Sequence, residues 1–388
     1  MDNRLAYLDY NATTPVKPEV LARVAEALVI GGNPSSVHQA GRRARAVVDR
    51  ARDAVADLVG ASPEQVLFTS GATEANTLAI RSLAAGAARA QRVCAATRIL
   101  ISAVEHDSVV GAAYAADLPV EEIPVTAAGV VDLAALERML GAGGPAVVVL
   151  MLANNETGVI QPVAAAAALA HSFGGWLHCD AVQGPGRAAV DFEALAADTL
   201  TLSSHKMGGP QGAGALVVRH LALVSPQFVG GGQERGLRAG TENVAGIAGF
   251  GVAAQLSAHD VARSNEINEL RNDLEVELQK IAPDVWIFGT SAERLPNTSC
   301  FAVAGVAAET QVIALDLAGV AVSAGAACSS GKVRTSRALR AMGVPEDTAS
   351  CAIRVSLGWN TRRADIERFL GAWSELMDRR RRREPKAA

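Results

Sequence analysis

Apolar runs that end abruptly in polar clusters recur through the first half of the chain. Residues 66–68 lead into Thr69-Ser70-Gly71-Ala72-Thr73, residues 99–101 lead towards Glu105-His106, and the unbroken stretch 146–153 stops at Asn154-Asn155-Glu156. A further run reaches Asp180 and Gln183, and Leu200 and Leu202 alternate with threonines before Ser203-Ser204-His205-Lys206. The alternation reads as a short, half-buried strand, and a Gly/Pro-rich turn carries it into a second apolar run at 215–218. A continuous run such as 146–153 suits a central parallel strand covered on both faces. Open α/β sheets bind ligands outside the carboxyl ends of such strands, which is where these polar groups collect.

Helical periodicity fills the gaps. A short strand and turn at 7–15 precede an amphipathic helix near 17–30, and a loop of turn formers at 31–38 precedes a basic helix at about 39–59. Residues 230–244 hold five glycines without apolar periodicity and end in a helix cap, the pattern of a binding loop rather than a linker. An Ala/Gly-rich helix follows, and then a charged helix at 260–281 that connects to a smaller C-terminal unit. That unit is expected to hold strands near 285–288, 297–303 and 351–357 and helices near 309–318 and 362–379.

With 49% hydrophobic but only 4% aromatic residues, a chain of 388 residues must build its core mainly from Ala, Val and Leu, with room for two domains. Net charge is −4, from 36 basic and 40 acidic residues, which gives no electrostatic reason to expect nucleic acid or a membrane surface. The basic run 379–383 reads as a solvated helix end. No apolar run approaches the ~18 residues of a membrane span, and Met-Asp-Asn-Arg lacks a signal peptide's order, so a cytoplasmic protein is expected.

The chemistry concentrates at the strand ends. Lys206, held beside glycines with hydroxyls and an imidazole next to it, suits a Schiff-base lysine. A solvated turn lysine is the plain alternative. Asp180 shifts the balance, because a pyridoxal phosphate ring needs a carboxylate at its pyridinium nitrogen to act as an electron sink. The passage from a strand through Ser70-Gly71-Ala72-Thr73 into a helix can cradle a phosphate on free N–H groups, or can be an ordinary helix start capped by Ser70 or Thr73. It lacks the Gly-Lys-Ser/Thr of a nucleotide loop.

Five scattered cysteines without a C-x-x-C pair argue against a disulfide framework and a cysteine zinc site, and no metal is expected. Cys328 lies among small residues with Lys332 and Arg334 close in sequence to favour a thiolate, so it is the expected reactive cysteine. Cys94, Cys179, Cys300 and Cys351 have apolar or strand-like neighbours and read as inert.

Taken in order, Leu8-Asp-Tyr-Asn-Ala-Thr-Thr-Pro15, Asn33-Pro-Ser-Ser-Val-His38, Ser70-Gly-Ala-Thr-Glu-Ala-Asn76, Glu105-His106, Asn154-Asn-Glu-Thr-Gly158, Asp180-Ala-Val-Gln183, Ser203-Ser-His-Lys206, Arg238-Ala-Gly-Thr-Glu-Asn243, Ala327-Cys-Ser-Ser330 and Ile353-Arg-Val-Ser-Leu357 form an ordered set that spans nearly the whole chain. The set resembles the cysteine desulfurases of the NifS/IscS type, in the aminotransferase class V group of pyridoxal phosphate enzymes. The resemblance implies a fold-type I α/β protein. Its large domain, 16–259, would carry a mainly parallel seven-stranded sheet between helices, and a smaller α+β domain, 1–15 with 260–388, would carry the catalytic cysteine loop.

By the same resemblance Lys206 holds the cofactor and moves protons at the substrate Cα, Asp180 pairs with the pyridinium nitrogen, and His106 stacks on the ring and serves in proton transfer. Gln183 and Asn155 contact the phenolic oxygen or the substrate, while Ala72, Thr73, Ser203 and His205 bind the phosphate. Thr241 reaches the phosphate of the neighbouring subunit, which implies a homodimer, and Arg354 with Asn155 takes the substrate carboxylate. Cys328 collects sulfur from L-cysteine as a persulfide and alanine leaves, with an iron–sulfur scaffold or another protein as sulfur acceptor; a nitrogenase-associated version is one reading. Gly331-Lys-Val-Arg-Thr-Ser-Arg337 replaces the family's usual acidic-Pro-Ser-His segment and bears on partner choice. A selenocysteine lyase or aminotransferase on the same fold, and a non-catalytic assembly scaffold, are the alternatives.

Overall fold

The computed structural model describes residues 5–85, 96–325 and 335–383. A two-residue strand, β1 (Ala6–Tyr7), precedes the seven strands of the main sheet: β2 (Val66–Thr69), β3 (Arg98–Ser102), β4 (Val120–Ile123), β5 (Ala146–Val149), β6 (Trp176–Asp180), β7 (Thr199–Ser203) and β8 (Gly214–Val218). Their spatial order is β2-β8-β7-β6-β5-β3-β4. The pairs β4–β3, β3–β5, β5–β6 and β6–β7 are parallel, and β8 runs antiparallel to both β7 and β2. The reversal follows from the connection: the short turn between β7 and β8 leaves no room for a crossover helix, so the two must pair as a hairpin. Gly208 and Gly212 turn that link with φ of 83° and 76°, a region open to glycine without steric cost.

Alternate strand residues feed two layers. Leu100, Val148, Leu177, Leu200 and Val217 pack with the helices Gln39–Leu58, Val163–Ser172 and Val244–Ala262 on one face. Ile99, Val147, Val149, Trp176 and Leu216 pack with Ala72–Ala84 and Asp107–Tyr114 on the other. The alternating run around Leu200 and Leu202 is therefore not half-buried. All five residues of β7 are buried, because helices cover both faces and Thr199 and Thr201 take the second one. The charged helix expected from residue 260 starts instead at Ser264, because the preceding helix runs on to Ala262 and the two meet at Arg263.

The remaining strands are β9 (Trp286–Ile287), β10 (Thr298–Ala302), β11 (Val320–Ala321), β12 (Ser323–Ala324) and β13 (Ile353–Ser356). A four-stranded sheet orders them β12-β13-β10-β9, and β11 pairs with β1. Ala6 and Leu8 thus share a core with Phe301, Val355, Phe369 and Trp373, drawn from the far end of the chain. Phe301 meets Trp373 edge-to-face at 5.7 Å, and the Trp373 indole donates to Gln311 Oε1 at 3.1 Å.

The glycine-rich segment is pinned. Glu234 and Arg235 adopt φ of 45° and 60°, uncommon for residues with a Cβ. Buried Glu234 accepts two hydrogen bonds from Arg52, at 2.7 and 2.9 Å, and one from the Phe68 N–H at 3.0 Å. Removing one partner strands a buried charge. Arg52→Ala is expected to destabilise the protein by about 3–5 kcal/mol in denaturant titrations. Arg52→Met combined with Glu234→Gln is expected to recover most of that loss.

Candidate active site

A cavity of about 570 Å³ opens at the carboxyl ends of the parallel strands. Asp180, the last residue of β6, and Lys206, three residues past β7, both line it, as do His106, Asn155, Gln183 and Arg354. Ala72, Thr73, Ser203 and His205 form its other wall. Ten of the twelve residues singled out from the sequence thus face one space. Thr241 is exposed in a neighbouring hollow that shares Ser70 and Gly212 with the cavity, and Cys328, like Cys94, lies outside the described residues.

Lys206 has no acidic hydrogen-bond partner. Its Nζ donates to the carbonyls of Asn11 and Ala12 at 2.6 and 2.8 Å. Burial, then the nearby guanidinium groups of Arg187 and Arg354, push its pKa down to about 7. His205, whose Nδ1 lies 3.1 Å from Thr13 Oγ1, is pushed down to about 4 by burial, Lys206 and Arg187. At neutral pH this imidazole is uncharged.

The Asp180 carboxylate is held on both oxygens. Oδ1 accepts from the Val182 N–H at 3.1 Å and Oδ2 from Asn76 Nδ2 at 2.8 Å. His106 caps the helix Asp107–Tyr114, its Nδ1 accepting the Ser108 N–H at 3.1 Å. Arg354, buried on β13, donates to Asp9 Oδ1 at 2.7 Å and to the Asn155 carbonyl at 3.0 Å, while its Nε has no partner. It is the C-terminal sheet's contribution to the cavity.

The phosphate-binding expectation meets a specific geometry. The helix Ala72–Ala84 starts at Gly71 with no side-chain cap, so neither Ser70 nor Thr73 fills the role of an ordinary capping residue. Ser70 instead offers its N–H to Glu74 at 2.8 Å. The first-turn N–H groups of a helix have no internal acceptor. In residues that line the same cavity, the buried Ser203 Oγ and Gln183 Oε1 also lack partners. A helix start without a cap, on one cavity with an unpaired hydroxyl, is chemically suited to an anion.

Sequence reading missed several contributors. Asn11 supplies a carbonyl to Lys206, Arg187 presses on its charge, and Asp9 engages Arg354. Asn76 and the buried His178, 3.0 Å from each other, support Asp180 from behind. Asn76 sits one helical turn past Ala72, a spacing that signals a shared face. Cys179, Cys300 and Cys351 are buried, and burial drives the thiols of Cys179 and Cys300 upward, consistent with inert cysteines.

The aminotransferase class-V family model matches residues 6–369. A cysteine desulfurase from Cereibacter sphaeroides is 42% identical over 386 residues, covering 98% of this chain and 97% of the relative. The cysteine desulfurase IscS of Dictyoglomus turgidum is 36% identical over 387 residues, with coverages of 98% and 97%. The X-ray structure of a NifS-like protein from Rickettsia africae is similar with a TM-score of 0.87 at 34% identity, covering 97% of this chain and 100% of that one. The fold and the strand-end cavity define a class V aminotransferase-type enzyme, and the chain belongs to that family. Within it, the full-length relatives are cysteine desulfurases, and this chain is one of that group.

Because burial and neighbouring cations disfavour the ammonium, Lys206 is expected to be neutral above about pH 7. In protein freed of cofactor, acylation of the 206 peptide, read by mass spectrometry, should show a midpoint near pH 7; an exposed lysine's is about 10.4. Between those values the unfolded chain binds more protons than the folded one. Lys206 therefore makes stability rise with pH across that window.

Proposed function

We propose that the protein is a pyridoxal phosphate-dependent enzyme that takes sulfur from L-cysteine, releases L-alanine and passes the sulfur on through Cys328. The observation that carries the reading is a neutral-prone lysine amine and a fixed carboxylate on one cavity, facing a helix start without a cap. When bound, the cofactor supplies the electron sink that makes a substrate Cα–H acidic.

The chain's own groups supply the rest. Lys206 bears the cofactor and moves the proton at the substrate Cα, a task that fits an amine whose pKa lies near 7. Asp180 would hold a proton at the ring nitrogen, and His106 would stack on the ring and serve in proton transfer. The N–H groups of Ala72 and Thr73, the Ser203 hydroxyl and His205 hold the phosphate, with Thr241 reaching it from the partner subunit of a homodimer. Gln183 and Asn155 orient the phenolic oxygen and the substrate. Arg354, whose Nε is free, takes the substrate carboxylate with Asn155.

The thiolate of Cys328 attacks the substrate Sγ. The new S–S bond forms as the carbon–sulfur bond breaks, and the electron pair left on carbon takes up a proton on the way to alanine. An iron–sulfur scaffold or similar acceptor protein then collects the sulfur. We assign residues 16–259 to a large cofactor-binding domain and 1–15 with 260–388 to a small domain, in a protein of the cytoplasm. Among the described residues no helix is long and apolar enough to cross a membrane.

Purified protein should be yellow, and borohydride should fix the cofactor to the Lys206 peptide. Cys328→Ser should abolish sulfide release from L-cysteine while leaving the absorbance intact. Comparable rates on L-selenocysteine, or with a keto-acid acceptor, would instead favour a lyase or an aminotransferase. Arg354→Lys keeps the charge but loses the bidentate geometry. Its KM for L-cysteine should rise about 10- to 100-fold, the worth of one charge-assisted hydrogen bond.

A further inference from the structure

Behind the cavity wall runs a chain of hydrogen bonds that the catalytic reading does not use. Thr199 Oγ1 lies 2.8 Å from His178 Nδ1, and His178 Nε2 lies 3.0 Å from Asn76 Oδ1. Asn76 Nδ2 reaches both Asp180 Oδ2, at 2.8 Å, and Ser108 Oγ, at 3.0 Å. Ser108 Oγ in turn lies 2.8 Å from His106 Nδ1. Asn76, His178 and Thr199 are all essentially inaccessible to solvent, so none can exchange its partner for water.

Two fixed ends set the direction of every bond. A carboxylate only accepts, so the NH2 side of Asn76 must face Asp180, and its carbonyl oxygen must face His178. His178 therefore carries its proton on Nε2, and its bare Nδ1 takes the Thr199 hydroxyl proton. Burial pushes the His178 pKa down to about 3, so the ring is neutral, as one donor and one acceptor nitrogen require. At the other end a backbone N–H only donates, and the Ser108 N–H points at His106 Nδ1, which must be bare. The Ser108 hydroxyl accepts from Asn76 and passes its own proton towards the same nitrogen.

We propose that Asn76 is a positioning residue that aligns Asp180 and holds Ser108, whose backbone N–H fixes His106 as the Nε2–H tautomer. Neutral His106 then offers the cavity a hydrogen-bond donor and proton source, not a base. The consequence for the reaction rests on the desulfurase reading. The bond polarity itself does not, because it follows from Asp180 and the Ser108 backbone alone.

The test is nitrogen NMR of the full chain labelled with ¹⁵N-histidine, with and without cofactor, His106 being assigned from the spectrum of His106→Gln. The wild type should show His106 and His178 each protonated on Nε2 and bare on Nδ1. A protonated Nδ1 on His106, or averaging between tautomers, would overturn the proposal even if no variant folds. Asn76→Asp removes the NH2 group that donates to Asp180 and Ser108, but the Ser108 N–H still faces Nδ1, so the His106 proton should stay on Nε2. A His106 proton moved to Nδ1 in that variant would also sink the idea. In the loaded enzyme the same substitution should lower kcat for L-cysteine by about 100-fold, the scale of a misplaced catalytic group, with KM within about twofold. A rise in KM with unchanged kcat would place Asn76 in substrate binding instead and overturn its assigned role. Wild-type protein with the expected tautomers but no alanine formation would remove the desulfurase reading and leave this one standing.

Discussion

An amine pushed towards its uncharged form inside a folded protein constrains everything around it. Lys206 is given two backbone carbonyls as acceptors and two guanidinium groups as neighbours, and no carboxylate bonds its Nζ. A salt bridge would have stabilised the ammonium and left it unreactive. Two carbonyls accept hydrogen bonds from a neutral amine almost as readily, so they hold its position without fixing its charge. Arg187 is anchored to the Tyr10 and Gln183 carbonyls rather than to an acid, which leaves its positive charge free to act on the lysine.

The sheet topology delivers the groups that meet this requirement. Parallel strands bring Asp180 and Lys206 to the same edge, and the hairpin β7–β8 lets the lysine sit in a turn rather than at the head of a helix. Arg354 comes from the second core. Its bonds to Asp9 and to the Asn155 carbonyl join the C-terminal sheet, the N-terminal segment and the end of the β5 connection in one place. The cavity is closed by contacts between distant parts of the chain, each modest and all local to the site.

How far the sequence revealed this depends on the kind of signal. Strand ends were legible because a buried parallel strand must be continuously apolar, so the first polar residues after it stand out, as with Asn154, Asp180 and Ser203. The break at Arg263 was not, since helix propensity and charge pattern continue across it. The burial of β7 on both faces was hidden by its threonines, which are buried rather than facing water, Thr199 with a bond to His178. Asn76 and His178 escaped notice because a residue supporting another one from behind leaves no periodic mark. Asn11 escaped because it contributes a carbonyl, and any residue type has one.

The pairing of β1 with β11 carries a consequence for how the chain can be shortened. Residues 6–12 look like a leader ahead of the first helix, yet they supply a strand to one core and both oxygen atoms that cradle the Lys206 amine. Trimming or fusing at that end would therefore act as a lesion of the strand-end cavity rather than a cosmetic change, because the ends of a chain tolerate editing only where their backbone is unburied and unbonded.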